Sequence, residues 1–386
     1  MKKLFFLAFV LPSLSFAFDT SVKGFIALDA LNYKKIEGKK SGVIVGIGVL
    51  DLKVFAEQDN MTAALKLDLD GKLSEENNIF EEAYASYRGV KDFRFSLGKG
   101  VIKYQNLHWG SVQNSYYDGG SVLGTENSFR KLARKAFASV SYGHRSRGFL
   151  GTFWFWGDST ELAYDESDNL LTTTSSSKIT GYKQNSVTAF DTRHQTGFAS
   201  KIELYQMDSL TLSAGAVYYK KDLAKRPTYA VDLGINYESA NLEIWTDFLV
   251  GQTHKLPYEN YSTYSNTEYF AQMGMDLSID ESWSWVSNIE GLYTKNESWN
   301  YSAFGSSATI DSTFWNRSGQ VVKTLSYKAE TALKYKLSKT SFVTTGVLYE
   351  NKISDKNGIK DLTYIPSVYN PNRHAYQYIT SVSFWF

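Results

Sequence analysis

Runs of about ten residues in which apolar and polar side chains alternate recur along nearly the whole chain. In 62–70, Ala63, Leu65, Leu67 and Leu69 alternate with Lys66, Asp68 and Asp70. A strand turns successive side chains to opposite faces, so such a run specifies one apolar and one polar face. Comparable runs occupy 22–32, 43–56, 80–88, 93–104, 136–142, 149–157, 195–206, 210–219, 229–238, 242–250, 269–279, 283–294, 325–337, 342–350 and 375–386. The count is sixteen, with fourteen and eighteen as the neighbouring even solutions. Connections after even-numbered runs are tight, as at 57–60, 89–92, 239–240 and 338–340, whereas those after odd-numbered runs include 105–135, 158–194, 295–322 and 351–374. Tight turns make consecutive strands antiparallel neighbours. The predicted fold is all-β: an antiparallel transmembrane barrel with short turns on one rim and long loops on the other.

Composition supports a barrel over the alternatives. After residue 17 no stretch approaches eighteen consecutive apolar residues, which excludes helical spans. Aromatic residues make up 16% of the chain, an excess that aromatic girdles at both lipid boundaries would absorb. A soluble two-sheet β protein is the competing reading. The absence of Cys excludes a disulfide scaffold and thiolate metal sites. Pro227, Pro257, Pro366 and Pro371 fall in the predicted long connections, where no ladder donor is needed. Lys2 and Lys3, the apolar run 4–11 and Ser15-Phe16-Ala17 read as a secretory signal peptide over 1–17, leaving 18–386 as one barrel domain. Loss of the two lysines takes the net charge from +1 to −1, so no nucleic-acid partner is expected.

In the last run Tyr378, Thr380, Val382, Phe384 and Phe386 share one face, while Gln377, Ile379, Ser381, Ser383 and Trp385 share the other. This resembles the closing strand of bacterial outer-membrane β-barrels, in which a final Phe with apolar residues two, four and eight positions earlier is the assembly signal. The resemblance implies that Tyr378, Val382, Phe384 and Phe386 are read by the barrel-assembly machinery. It further implies a bacterial outer-membrane location, with lipid and lipopolysaccharide as surroundings and the short turns in the periplasm.

A Lys or Arg facing lipid at the bilayer midplane costs about 2–4 kcal/mol, so the polar faces must line the interior. That face carries Lys23, Asp29, Asp51, Lys53, Lys66, Glu82, Arg88, Arg94, Asp232, Glu243, Asp247, Asp276, Glu290, Lys328 and Glu330. An interior so charged is costly to bury dry and is predicted to be hydrated. Lys99 breaks the rule, sharing the parity of Phe93 and Leu97. Either it snorkels to the boundary, or a bulge at Gly98 or Gly100 re-aims it. Trp385, on the inner face, is expected to pack at the lower rim.

The connection 105–135 contains Tyr116-Tyr117-Asp118-Gly119-Gly120 and ends with Arg130, Lys131, Arg134 and Lys135. Here the chain is similar to the trimeric sixteen-stranded Gram-negative porins, whose third outer loop folds into the barrel and often carries an acid just before a Gly-Gly pair. Leu97-Gly98-Lys99 stands where many of them read Leu-Gly-Arg. The resemblance implies a homotrimer and a constriction with carboxylates facing basic groups across a narrow water gap. Its acidic candidates are Asp118 and Glu126, beside Gly119 and Gly120; its basic candidates are Lys23, Lys53, Arg88 and Arg94. The other reading lays this loop over the outer mouth with its charges solvated.

The expected function is a water-filled channel for passive diffusion of small hydrophilic solutes and ions. A channel selective for a sugar or peptide and a structural or adhesive barrel with a blocked lumen are the alternatives. No cofactor or metal site is expected: His108, His144, His194, His254 and His374 show no ligand spacing, and four of them fall in predicted connections. No Ser–His or Asp–His arrangement can be assembled from the sequence, so no enzymatic activity is expected.

Overall fold

The structure, a computed structural model, describes residues 19–38, 41–69, 80–106, 123, 129, 132–157, 196–206, 209–220, 227–258, 262–299, 320–354 and 373–386. The strands in chain order are β1 (Asp19–Ile36), β2 (Gly42–Gln58), β3 (Met61–Asp68), β4 (Phe80–Tyr87), β5 (Phe93–Ile102), β6 (Leu132–His144), β7 (Phe149–Gly157) and β8 (Thr196–Gln206). They continue as β9 (Leu210–Lys220), β10 (Thr228–Glu238), β11 (Leu242–Tyr258), β12 (Ser262–Ser278), β13 (Trp283–Trp299), β14 (Gln320–Ser338), β15 (Ser341–Ser354) and β16 (Arg373–Trp385). Each pairs antiparallel with its sequence neighbours, and β1 pairs with β16, so the sheet is a closed barrel of sixteen strands. Every run predicted from alternation coincides with one of them.

Closure is tight at the β1–β16 seam. Phe386 and Gly24 exchange both main-chain hydrogen bonds, at 2.8 and 3.1 Å. The Phe386 ring lies over Gly24, where a Cβ would collide with it. Trp385 packs at a tilt against Phe25, ring centres 4.3 Å apart, on the same rim, as expected. Two short turns use turn chemistry directly. Asp59 takes a positive φ of 50° in the two-residue turn between β2 and β3, a conformation that Asp tolerates. Asp280 accepts the main-chain N–H groups of Ser282 and Trp283 at 2.7 and 2.8 Å ahead of β13.

The outer face is an apolar band, with Leu97, Ile289 and Met273 all more than 60% exposed. Aromatic pairs bound it on both sides. Phe93–Tyr142 (4.9 Å) and Trp283–Tyr335 (4.8 Å) lie near the short turns. Tyr269–Tyr293 (6.0 Å) and Tyr349–Tyr376 (5.1 Å) lie toward the long connections. Trp283 and Tyr293 are ten residues apart on β13, roughly 33 Å along a strand and about 25 Å in height at a typical tilt, the thickness of the lipid-facing band. This is a membrane barrel, not a soluble sandwich.

Three expectations need correction. β11 and β12 remain paired from Lys255–Tyr264 to Tyr258–Ser262, so they are joined across 259–261 and not by a long loop. There polar residues occupy both faces, His254 beside Lys255 and Ser265 beside Asn266, so the period-two signal fades while the ladder continues. Pro257 consequently sits within β11, where the register slips between Lys255 and Tyr258, a place that tolerates a missing N–H. His144 and His374 lie at strand ends and His254 lies within β11, not in connections. Lys99 keeps its outward parity, paired with Ala83 and Ala136. The β5–β6 irregularity falls after it, between Gly100 and Ile102, so it does not re-aim Lys99.

Candidate permeation pathway

The connection after β5 turns into the barrel, and glycines on the inner wall make room for it. A Cβ on Gly215 (β9) would strike the Tyr104 carbonyl oxygen, one on Gly234 (β10) would strike Asn106, and one on Gly251 (β11) the Phe129 ring. Asn106 donates its main-chain N–H to Asp232 Oδ1 at 3.1 Å. Further along, Leu123 donates its N–H to Glu350 Oε2 on β15 at 3.2 Å. Tyr104, Asn106 and Phe129 therefore lie against β9–β11 and Leu123 against β15, inside the lumen and not over its mouth.

This arrangement creates a dry zone where a hydrated interior was expected. Tyr104 and Phe129 are fully buried with Trp156, Val217, Tyr219, Leu249, Phe270 and Leu292. These side chains stand on inner faces, as their alternation with outward Phe155, Tyr218, Phe248 and Tyr269 shows. Apolar side chains on a porous wall would be wasted in water; here they hold the connection. Polar atoms in the zone are served locally. Tyr104 donates to the Phe129 carbonyl at 3.2 Å and accepts from Gln105 Nε2 at 2.8 Å, and Gln105 also donates to the Phe129 carbonyl. Burial, with the Asp232 carboxylate close by, pushes the Tyr104 phenol well above its ordinary range, so it stays a donor at any physiological pH.

Two sectors of inner wall differ in charge. On β10–β15, Asp232, Glu243, Asp247, Glu268, Asp276, Glu290, Glu330 and Glu350 outnumber Lys328, Lys334 and Lys352. Most of these carboxylates are buried. Glu290 accepts from Lys328 at 3.1 Å with both side chains fully buried, and from Asn288 at 2.7 Å. Lys334 pairs with Asp276 at 3.0 Å, partly exposed.

The sector β1–β7 holds the basic candidates. Lys23 and Lys53 are cross-strand neighbours, and both ammonium groups lie over Phe55, at 5.7 and 5.0 Å from its centre. Lys53 also pairs with Glu82 at 3.1 Å. Arg94 is the second residue of β5 and donates from Nη2 to Ser86 Oγ at 3.2 Å. Arg88 follows β4 in the turn and is exposed, its main-chain N–H bonded to the Asn60 carbonyl at 2.8 Å. The four thus share one side of the lumen, in its short-turn half. Asp118, Gly119, Gly120 and Glu126 lie outside the described residues, as does the segment 1–17.

A cavity of about 750 Å³ opens beside this sector, lined by residues of β4–β7 and their turns, among them Tyr84, Arg94, Phe137 and Trp154. Tyr104, Gln105, Asn106 and Phe129 were not among the predicted site residues. The signal that could have found them is the run of inner-face glycines on three consecutive strands, since glycine within a strand marks close approach of another backbone.

No family model and no curated relative matches the sequence. Among solved structures, the chain is similar to the outer membrane channel DcaP of Acinetobacter baumannii, at 15% identity, covering 96% of this chain and 98% of that one with a TM-score of 0.57. In-vitro folded OmpT of Vibrio cholerae, an outer membrane protein in its trimer form, is 12% identical over 96% and 100% with a TM-score of 0.54. An anion-selective porin from Comamonas acidovorans is 10% identical over 95% and 100% with a TM-score of 0.52. At such identities the likeness is one of fold. The molecule is a sixteen-stranded transmembrane β-barrel with the architecture of the porins.

Proposed function

We propose that the chain is an outer-membrane porin, a water-filled channel through which small hydrophilic solutes and ions diffuse passively. The observation that carries this reading is the connection after β5. Its described residues bond to Asp232 of β10 and to Glu350 of β15 while a cavity stays open beside the basic sector. A connection that narrows without filling is what a size and charge filter requires, because a narrow aqueous gap between walls of opposite charge orients polar solutes. Asp118 and Glu126, with the partly exposed Asp276 of β12, supply the acidic side of such a gap, and Lys23, Lys53, Arg88 and Arg94 supply its basic side.

The remaining expectations belong to the same proposal. Residues 1–17 act as a signal peptide, Tyr378, Val382, Phe384 and Phe386 as the assembly signal, and the protomers associate as a homotrimer in a membrane bearing lipopolysaccharide. The trimer form recorded for OmpT supports that association. We read the barrel as having no catalytic role. In the open cavity Ser86 bonds to Ser96 (2.8 Å) and to Arg94, and Thr152 bonds to Ser141 (3.0 Å). The His144–Ser146 hydrogen bond belongs to an exposed turn, which it caps. Reconstitution in planar bilayers tests the reading: ohmic current steps arriving in threes are expected, and electrical silence of correctly folded protein would remove it. A channel selective for one solute class is the second reading, favoured by the aromatic lining of the cavity.

A further inference from the structure

The cavity at the short-turn end of β4–β7 combines three features that a passive conduit does not need. First, its cations divide into two groups. Arg145 pairs with Glu238 at 3.4 Å, Arg147 with Asp92, and Lys103 lies 4.0 Å from Glu82. Arg88, Lys91 and Arg94 line the same cavity with no carboxylate partner among the described residues. Tyr87–Phe95 is the last registered pair of β4 and β5, which puts Arg88 and Arg94 opposite one another one step further on. Like charges set across a ladder are destabilising. Their retention without a counter-charge points to an anion supplied from solution.

Second, a row of hydroxyls runs beneath the arginines. Ser86 pairs with Ser96, Ser96 with Ser139, and Ser141 stands opposite Arg94 on one side and Thr152 on the other. Arg94 is already held to this row through Ser86, while its Nε, buried, has no partner. Guanidinium forks and hydroxyl donors suit the oxygens of a phosphate or carboxylate. Third, Tyr84, Phe137 and Trp154 form one side of the cavity, with the Tyr84 and Phe137 rings 6.2 Å apart. Ring faces accept the apolar face of a flat or sugar-like body. The volume, about 750 Å³, falls within the range that encloses a small organic solute.

Resting on the channel reading, we propose that this recess binds small organic anions, with a phosphate or carboxylate head held by Arg88 and Arg94 over the serine row and the body against Tyr84, Phe137 and Trp154. The test uses the full barrel in detergent, titrated calorimetrically with glucose 6-phosphate, glucuronate and glucose. Both anions are expected to bind and glucose is not. Replacing Arg88→Gln and Arg94→Gln together should weaken anion binding by roughly tenfold or more, the scale of two lost charge-assisted hydrogen bonds. Lys336→Gln with Lys339→Gln removes two exposed charges from the same rim on the far side and should leave binding within about twofold, separating contact from field. Equal weakening by the two double variants, or no binding by either anion, overturns the site. Bilayer recording separates this from the channel reading. Conduction without anion binding leaves the channel and removes the site. Arginine-dependent binding without conduction leaves the site and removes the channel.

Discussion

The two sides of the lumen are built on opposite principles. On β10–β15 most charges are buried, and the wall serves as the bed for the described residues of the connection after β5; Glu290 and Lys328 are both fully buried. On β1–β7 the ion pairs remain partly exposed, Lys53–Glu82 and Lys66–Asp51 among them, and the wall faces open space. Charge in the first sector is structural and in the second it is available to solutes. The same residue types thus serve architecture or transport according to what covers them.

That contrast can be broken most forcefully at the bed itself. Gly215→Val places a branched side chain where the Tyr104 carbonyl lies and should displace the connection. Single-channel conductance is expected to rise about twofold or more while the barrel stays folded, because a barrel of this size leaves a wide channel once unobstructed. An unchanged conductance would show that the connection does not narrow the path. Next in size, Lys328→Met strands the Glu290 carboxylate and should destabilise the barrel by about 3–5 kcal/mol, read from urea unfolding in vesicles. Adding Glu290→Leu should recover much of the loss, and failure to recover would deny the pair its covered, structural role.

The open sector should respond in selectivity and not in stability. Replacing Arg88 and Arg94 with Gln should shift the reversal potential in a salt gradient toward cations, with unfolding changed by less than about 1 kcal/mol. Asp276→Asn, at the partly exposed pair of the other sector, should shift it the other way and by less, since Lys334 already offsets that charge at 3.0 Å. Smallest of all is the salt effect. Raising ionic strength from about 0.1 to 1 M shortens the screening length from roughly 10 to 3 Å and should erode the ion preference set by the open sector. The buried sector's contribution to stability should not move.

Architecture was legible in the sequence because a lipid-facing wall demands strict alternation, and a slip of one residue would expose every charge to lipid. Strands are therefore found to within a residue or two where they cross the membrane. They are missed above it, as at β11 and β12, where nothing enforces a period. Basic lumen residues such as Lys53 and Arg94 could be placed for the same reason. The burial of Asp232, Glu290 and Glu350 could not, because alternation says which face a side chain occupies and nothing about what later covers that face. The glycines at 215, 234 and 251 hinted at the cover, but a lone glycine in a strand has many explanations and only their adjacency in three dimensions selects one.

The bonding of Gly24 to Phe386 carries a consequence for how the molecule is made. These two residues are the most distant in sequence of all the paired positions, so this contact fastens the cylinder only when everything between them is in place. Until then β1 presents an open row of main-chain donors and acceptors, a ready template for misjoining with a stray strand from another copy. Long-range pairing of this kind is slow. The hazard is greatest in a water-exposed intermediate, and it ends only when the first and last strands meet.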